Sequence, residues 1–230
     1  MDVILIPGLW LDGSSWNAVT PGLEAAGHRV HPLTLPGLES PDADRAPISL
    51  RDHVDAVVAR IDALDGPVVL VAHSAGGAVA HAAVDARPHR VARVVYTASE
   101  PVADGECVND ELPSANGEIP MPDWSFWDAD MLVDLDEELR RSILDRAVPS
   151  PARAATDRQT LSDERRYDVP ITIVTCDYTE DMMRGWITEG YPSAAEVGRI
   201  RDVEFVALPT GHWPQFSRPA DLARVIADAI

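Results

Sequence analysis

Short runs of apolar, largely β-branched residues recur along this chain, and most of them precede a longer stretch with helical spacing. The runs predict strands at "DVILIP" (2–7), "HRVHPLTL" (28–35), 67–72, "RVARVVYTA" (90–98), "VPITIVTC" (169–176) and "VEFVAL" (203–208). Strands that are apolar throughout are buried on both faces, and strands that alternate with helices pair in parallel. The pattern therefore predicts an α/β fold, with a mainly parallel sheet covered by helices on both faces.

The stretches between these runs have helical spacing. The clearest is "SLRDHVDAVVARIDAL" (49–64), which is apolar on one side only, at Leu50, Val54, Val57, Val58 and Ile61. The other predicted helices are 15–27, Ala75 to about Arg87, a helix around 134–148, most of 180–200, and 219–230.

The alternation of strand and helix stops between residues 99 and 166. This stretch is rich in Pro, Asp and Glu and carries Trp124 and Trp127. A bare loop of this length is uncommon in a compact domain. We therefore predict a core of residues 1–98 and 167–230, with residues 99–166 inserted as a cap. The two tryptophans either pack within the cap or face an apolar substrate pocket.

Ser74 lies where the strand 67–72 ends and the helix from Ala75 begins. The pentapeptide "AHSAG" (72–76) matches the G-x-S-x-G elbow pattern, with alanine in place of the first glycine. In such an elbow the serine takes a strained backbone conformation, so the residues two before and two after it must be small. The N–H groups at the start of the next helix face any anion that forms near the serine. The sequence therefore predicts a nucleophilic serine.

A serine nucleophile needs a base, because a free hydroxyl is nearly inert at neutral pH. The chain has seven histidines, at positions 28, 31, 53, 73, 81, 89 and 212. His73 adjoins the serine, but its side chain is expected to point away from it. Packing or surface roles are expected for His53, His81 and His89, which lie in or beside predicted helices. His212 lies between the last strand and the last helix, and we predict it as the base.

The base in turn needs a carboxylate that fixes its tautomer and stabilises its charged form. Asp177 follows the strand 169–176. This gives the order Ser, Asp, His along the chain, with each residue at the carboxyl end of a strand, where ligands of such sheets collect. Glu100 follows the strand 90–98 and competes for the role, and Asp181 is a third candidate. Asp177 is the predicted acid, with Glu100 as the main alternative.

The first strand is followed by Pro7-Gly8-Leu9-Trp10. A glycine here lets the backbone come close to the elbow, so the N–H groups of Leu9 and Ala75 can together hold a developing oxyanion. One such donor contributes about 2.7–4 kcal/mol to transition-state stabilisation. An ordinary glycine turn is the alternative interpretation. Trp10, with the two tryptophans of the cap, is a candidate substrate contact.

The composition narrows the classes of partner. The formal net charge is −19, and every fixed positive side chain is arginine, because the chain has no lysine. A strong negative field repels nucleic acid and anionic membranes, so we expect neither as a partner. The absence of lysine excludes mechanisms that require one. No metal and no cofactor are predicted, a small-molecule substrate is the expected partner, and the oligomeric state is unknown from the sequence.

The compartment is an expectation from the same composition. No apolar run approaches the roughly 20 residues of a membrane span, and "MDVILIPGLW" lacks the features of a signal peptide. Cys107 and Cys176 are far apart and match no metal spacing, so we expect two buried, reduced thiols rather than a disulfide. A cytoplasmic location is the resulting prediction.

Together, these motifs resemble the α/β-hydrolase superfamily along essentially the whole chain. Pro7-Gly8 resembles its oxyanion loop with proline in place of the usual histidine, "AHSAGG" its nucleophile elbow, and "GHWPQFSRP" its histidine loop. "PGLWLDGSSWNAV" is similar to the opening of small esterases related to plant methyl esterases and hydroxynitrile lyases. The family often has Gly-x-x-Asp at the acid, whereas Thr175-Cys176-Asp177 has no glycine, so Glu100 stays an alternative.

The resemblance implies a cofactor-free serine hydrolase that cleaves a carboxylic ester of a small or medium-sized apolar substrate through a Ser-His-Asp triad and an acyl-enzyme. Serine at position 74 argues against epoxide hydrolase and dehalogenase chemistry, which needs a carboxylate nucleophile in this fold. A thioesterase for a carrier-bound acyl group is one alternative, which a site rimmed with arginine would favour. A non-catalytic ligand-binding member of the fold is another. The lyases of this branch rely on a lysine that this chain lacks.

Overall fold

The apolar runs form strands in the computed structural model, which describes the backbone of residues 1–230 and the side chains of residues 1–191 and 194–230. The strands are β1 (Asp2–Ile6), β2 (Arg29–Pro32), β3 (Val68–His73), β4 (Val91–Thr97), β5 (Glu118–Ile119), β6 (Ser150–Pro151), β7 (Ile171–Thr175) and β8 (Val203–Ala207). Within the described chain, six of them form a parallel sheet in the order β2-β1-β3-β4-β7-β8. β5 and β6 pair antiparallel as a separate ribbon.

The α-helices are α1 (Thr20–Ala25), α2 (Leu50–Asp62), α3 (Gly76–Ala86), α4 (Glu137–Arg146), α5 (Ala152–Thr156), α6 (Glu180–Glu189), α7 (Pro192–Ala195), α8 (Pro214–Ser217) and α9 (Pro219–Asp228). Short 3₁₀ turns lie at Gly13–Trp16, Pro88–Arg90, Trp124–Phe126, Ala129–Leu132, Glu164–Asp168 and Val197–Arg199. Across the residues that the structure describes, none of the helices is long and apolar enough to cross a bilayer.

Helices cover both faces of the sheet, which confirms the predicted fold class. Val57 of α2 and Val79 of α3 belong to the hydrophobic cluster on one face, and Leu23 of α1 and Ile226 of α9 belong to the cluster on the other. Every residue of β1, β3 and β7 is buried, because each of these strands has a neighbour on both sides and helices above and below. The edge strands β2 and β8 are partly exposed.

The strand order reverses direction between β1 and β3. From β1 the chain first adds β2 on one side, and then returns to add β3, β4, β7 and β8 on the other side. The loops that leave β1 and β3 therefore diverge at their carboxyl ends and leave a crevice, which is where open α/β sheets bind ligands. Leu9 and Ser74 follow these two strands.

Two predicted elements are shorter than expected. The strand predicted at 28–35 is limited to β2, and the helix predicted at 15–27 is divided into the turn Gly13–Trp16 and α1. The division has a local cause. Pro21 lies in the first turn of α1, where its missing N–H costs no helical hydrogen bond, but it cannot continue a helix that begins earlier.

Residues 98–170, which lie between β4 and β7, are called the β4–β7 segment from here on. The segment contains the β5–β6 ribbon, α4, α5 and several single turns. Both cysteines are free thiols, as expected, but only Cys176 is buried. Cys107 is half-buried because it lies in an irregular stretch of this segment rather than in the sheet, so the prediction that it is buried is wrong.

Candidate active site

Ser74 lies on the tight corner between β3 and α3. Its φ of 52° is in the left-handed region that favours glycine, so the corner holds the serine in a strained conformation. The two positions that follow Ala75, Gly76 and Gly77, have room only for glycine. A Cβ at Gly76 would lie 2.7 Å from the carbonyl oxygen of Pro7, and one at Gly77 would lie 2.1 Å from Ser99 Oγ. The small residues after Ser74 therefore let α3 start directly against the ends of β1 and β4.

The structure brings His212 to Ser74 from the loop that follows β8. His212 Nε2 lies 2.9 Å from Ser74 Oγ, and its Nδ1 lies 3.1 Å from Asp177 Oδ2. A carboxylate only accepts hydrogen bonds, so Nδ1 carries the proton and Nε2 keeps the lone pair that faces the hydroxyl. Residues up to 138 positions apart in the sequence thus form one continuous chain of hydrogen bonds.

The three candidate acids lie in different places. Asp177 is the second residue after the end of β7 and contacts the imidazole, whereas Asp181 is exposed in the first turn of α6. Burial raises the pKa of the Asp177 carboxyl, but the hydrogen bond and charge of His212 outweigh it, and the net pKa lies below its ordinary value. Glu100 lines the cavity beside Ser74 instead of contacting the imidazole. The geometry therefore favours Asp177, the predicted acid.

His73 lies under the histidine loop, a position that the sequence did not predict. As expected, its ring points away from Ser74, and the structure buries it. Its Nε2 donates to the carbonyl oxygen of His212 over 2.7 Å, and the Gln215 side-chain amide donates to its Nδ1 over 3.2 Å. Burial, and then the nearby charge of His212, lower the pKa of His73 to about 3. A neutral His73 therefore holds the backbone of the loop that carries His212.

The β4–β7 segment holds the same loop from the other side. His212 N–H donates to the carbonyl oxygen of Met131 over 2.8 Å, and Gly211 N–H donates to Asp134 Oδ1 over 2.9 Å. A Cβ at Gly211 would lie 2.3 Å from that Met131 oxygen, so only glycine fits. No sequence spacing relates Asp134 to position 211, and the residue was not predicted.

The loop after β1 approaches the elbow closely. A Cβ at Gly8 would lie 2.9 Å from Ser74 Cβ, and Trp10 has a φ of 64° that turns the chain back over the site. In the part of the chain that the structure describes, the N–H groups of Leu9 and Ala75 donate no hydrogen bond, whereas Trp10 N–H is held by Ser150 Oγ at 2.7 Å. Both predicted donors thus border the site and are free to bind an oxyanion.

A cavity of about 250 Å³ opens over Ser74. Its lining is mostly apolar: Leu9, Trp10, Ala75, Ala78, Ala98, Val102, Val108, Leu112, Phe126, Trp127 and Met131, with Ser74, Ser99, Glu100, Asn109 and His212 as the polar members. Ten of these sixteen residues come from the β4–β7 segment. Within the described side chains, no group of three or more His, Cys, Asp or Glu is arranged to hold a metal ion.

The predicted aromatic contacts divide into two kinds. Trp10 and Trp127 line the cavity and pack edge to face, with ring centroids 5.6 Å apart. Trp124 instead packs edge to face on Trp213, with centroids 5.3 Å apart. Trp124 is not among the residues that line the cavity, so its contact with substrate stays a prediction that the packing on Trp213 does not support. Phe126, which was not predicted, lines the cavity in its place.

Comparison with known proteins places these features in a family. The sequence model described as the alpha/beta hydrolase family matches residues 3–225. Methylesterase 3 of Arabidopsis thaliana is 25% identical over an alignment of 258 residues, gaps included, which covers 98% of this chain and 94% of the relative. A pyrethroid hydrolase of Sphingobium wenxiniae is 35% identical over 105 residues, but this match spans only 38% of that protein and 45% of this chain.

Solved structures agree with the sequence comparison at the level of the fold. An extracellular alpha/beta-hydrolase from a Paenibacillus species, described as sharing structural and functional homology with tobacco salicylic acid binding protein 2, superposes with a TM-score of 0.80. The superposition covers 100% of this chain and 98% of the other at 19% sequence identity.

Proposed function

This chain is a hydrolase of the alpha/beta hydrolase family, and from that premise we propose that it is a serine esterase with Ser74 as its nucleophile. The observation that carries the proposal is the unbroken hydrogen-bond chain from Ser74 through His212 to Asp177. The sequence of this protein matches a methylesterase over almost the full length of both proteins, which supports ester hydrolysis as the reaction class.

His212 is the proposed general base and general acid. Its unprotonated Nε2 faces Ser74 Oγ and takes the hydroxyl proton as the oxygen attacks the ester carbonyl carbon. The same nitrogen then returns the proton to the departing alkoxide, which leaves an acyl group on Ser74. Asp177 holds the ring orientation and stabilises the imidazolium. A water activated by His212 then releases the acid and restores the serine.

The proposed oxyanion site consists of the backbone N–H groups of Leu9 and Ala75. The N–H of Ala75 lies at the start of α3, an eleven-residue helix whose positive dipole end faces the site. Gly8 lets the β1 loop approach within contact of the elbow, so the second donor comes from a different strand. Donors fixed by two strand ends need no reorganisation when negative charge develops, which is the source of their effect on the rate.

The cavity supports a small or medium-sized, largely apolar acyl or alcohol group. Its volume is near the lower end of the range for small-molecule sites, and apolar side chains dominate its wall. A site rimmed with arginine would have favoured a carrier-bound thioester. The described side chains that line the cavity include no arginine, and this favours the free ester over the carrier-bound alternative.

Hydrolysis of p-nitrophenyl esters from acetate to decanoate tests the proposal, with the variant Ser74→Ala as the control. We expect turnover by the native chain, loss of turnover in the variant, and a chain-length optimum that reports the size of the cavity. A fluorophosphonate probe is expected to label the native chain and not the variant. Equal turnover in both proteins, or equal labelling, would refute Ser74 as the nucleophile.

A further inference from the structure

Glu100 lies beside the nucleophile, at the carboxyl end of β4. It follows Ser99, whose Oγ donates to the carbonyl oxygen of Ser74 over 2.6 Å and whose own carbonyl oxygen accepts from the Tyr178 hydroxyl at 3.4 Å. These contacts attach the residue before Glu100 directly to the elbow. Glu100 then lines the same cavity as Ser74 and His212. It is therefore placed within reach of a substrate bound over the serine.

The Glu100 carboxyl has no role in the hydrogen-bond chain of the site. Asp177 already occupies the position of the triad acid, and among the described side chains the Glu100 carboxyl receives no hydrogen bond and no ion pair. Burial, and then the charge of Asp177, raise its pKa to about 7. In a half-buried carboxyl without a partner, partial loss of hydration disfavours the charged form. The structure keeps one here, in the wall of the substrate cavity.

The surroundings of Glu100 fit a positive group better than a negative or neutral one. Aromatic rings at Trp10, Phe126 and Trp127 line the same cavity, and aromatic faces attract cations. The described lining contains no lysine or arginine that would compete for the carboxylate. The net charge of −19 also draws cations toward the protein and repels anions.

We propose that Glu100 binds an ammonium group of the substrate, so that the preferred substrates are otherwise apolar esters that carry a protonated amine. The inference rests on the proposed esterase function and specifies the substrate class of that same site. A bound ammonium would supply the opposite charge and the hydrogen-bond donors that the carboxylate lacks. The aromatic and aliphatic wall would hold the rest of the molecule.

Two pairs of isosteric esters test this preference, one on each side of the ester bond. The acyl pair is p-nitrophenyl 6-aminohexanoate and p-nitrophenyl heptanoate, and the alcohol pair is 2-(dimethylamino)ethyl butyrate, which is protonated at neutral pH, and 3-methylbutyl butyrate. In an apolar cavity without a partner, the charged member of each pair is the poorer substrate. With Glu100 as partner, we expect kcat/KM of the charged member to exceed that of the neutral member by about tenfold in at least one pair, the range of close charge pairs.

Glu100→Gln is the decisive variant, and the ratio of the two kcat/KM values within a pair is the readout. We expect this ratio to fall about tenfold in Glu100→Gln and to recover in part in Glu100→Asp, which keeps the charge on a shorter side chain. Glu111→Gln is the matched control. It removes one negative charge from an exposed position in the same segment and is expected to keep the native ratio.

Binding of hexylammonium and of hexanol gives a second measurement that does not depend on turnover. Trp10 and Trp127 line the cavity, so their fluorescence reports the ligand. We expect hexylammonium to bind about tenfold more weakly to Glu100→Gln than to the native chain, while hexanol does not lose affinity. Circular dichroism shows whether each variant is folded before it is compared.

The outcomes separate this inference from the proposed function. If Ser74-dependent hydrolysis occurs with no preference for charged esters, or with a preference unchanged in Glu100→Gln, the substrate class is wrong and the esterase proposal stands. If no ester is cleaved and no probe labels Ser74, the esterase proposal fails. Binding of hexylammonium then decides about Glu100: weaker binding in Glu100→Gln supports the ammonium site, and equal binding overturns it.

Discussion

The carboxyl edge of the sheet and the β4–β7 segment form the same cavity, but they are built in different ways. Ser74 and Asp177 follow strands that are buried along their whole length, and their positions are fixed by parallel pairing. The β4–β7 segment has only short elements, and many of its side chains are exposed. The sheet therefore positions the proposed chemistry, whereas the segment supplies much of the wall that a substrate meets.

The two regions are nevertheless joined at one place. The loop that carries His212 is bound by His73 from the sheet and by Met131 and Asp134 from the segment. A change in the segment can therefore reach the proposed base without touching the sheet.

The largest effect is expected from the hydrogen-bond chain at the sheet edge. His212→Ala should lower kcat by about 10⁴-fold or more, because the serine loses its base. Asp177→Asn should lower kcat by about 10³- to 10⁴-fold, because the amide favours the imidazole tautomer that cannot accept the serine proton. Steady-state kinetics with a p-nitrophenyl ester measure both. Asp181→Asn is the control and should stay near the native rate. A similar loss in Asp181→Asn would contradict the assignment of the acid.

Close packing beneath the elbow predicts the next effect. A Cβ at Gly77 would lie 2.1 Å from Ser99 Oγ and 2.7 Å from the carbonyl oxygen of Glu100, so Gly77→Ala should lower the free energy of unfolding by about 3 kcal/mol. Gly185→Ala is the matched control in α6, where an added Cβ meets no atom within 4 Å. It should raise stability by about 0.5–1 kcal/mol. Urea unfolding measures the stability of both variants. Equal changes in Gly77→Ala and Gly185→Ala would show that the close contacts at Gly77 do not matter.

The half-buried carboxyl of Glu100 predicts a pH dependence of stability. Its pKa is about 7 in the folded protein, against a reference value of 4.5. Ionisation is therefore less favourable in the folded state, so its contribution to stability is fully present below about pH 4.5 and is lost as the pH rises through about 7. Between pH 5 and pH 8 the free energy of unfolding of the native chain should fall by about 2 kcal/mol more than that of Glu100→Gln. Parallel pH profiles of urea unfolding for the two proteins would contradict the raised pKa of this carboxyl.

The wall supplied by the segment predicts a change in selectivity rather than in chemistry. Trp127→Ala should lower kcat/KM by about tenfold for medium-chain esters and by less for acetate, because a large apolar contact is lost from the cavity. Trp124→Ala should instead keep the shape of the chain-length profile, since its indole packs on Trp213. If Trp124→Ala shifts the chain-length optimum as strongly, its assignment to packing is wrong.

The smallest effect tests the junction between the two regions. Asp134→Ala removes the acceptor of the Gly211 N–H and should lower kcat severalfold, with little change in KM, because a lost hydrogen bond of about 1 kcal/mol loosens the loop of His212. Asp134→Asn keeps an oxygen acceptor at the same place and should restore most of the rate. Failure of Asn to restore the rate would point to the charge of Asp134 instead of its hydrogen bond.

Much of the site was predictable because its signals are local. The elbow at Ser74 is defined by small neighbours and by its place between a strand and a helix, and His212 and Asp177 each follow a recognisable strand. The contacts of Trp124, the role of Asp134 and the buried position of His73 under the loop were not predictable. The first two depend on how an irregular segment of about 70 residues packs, and no periodic pattern encodes such packing. The position of His73 depends on how the loop after β8 folds back over β3.

The sequence by itself determined the parallel sheet, because continuous apolar runs between helices can be buried in few other ways. It also determined which residues reach the carboxyl edge, since each one directly follows a strand. Only the tertiary structure decided which acid contacts His212, because Asp177 and Glu100 follow neighbouring strands and differ in sequence by nothing that sets distance. That choice left Glu100 as an unpartnered carboxyl in the wall of the cavity, which the chain alone could not reveal.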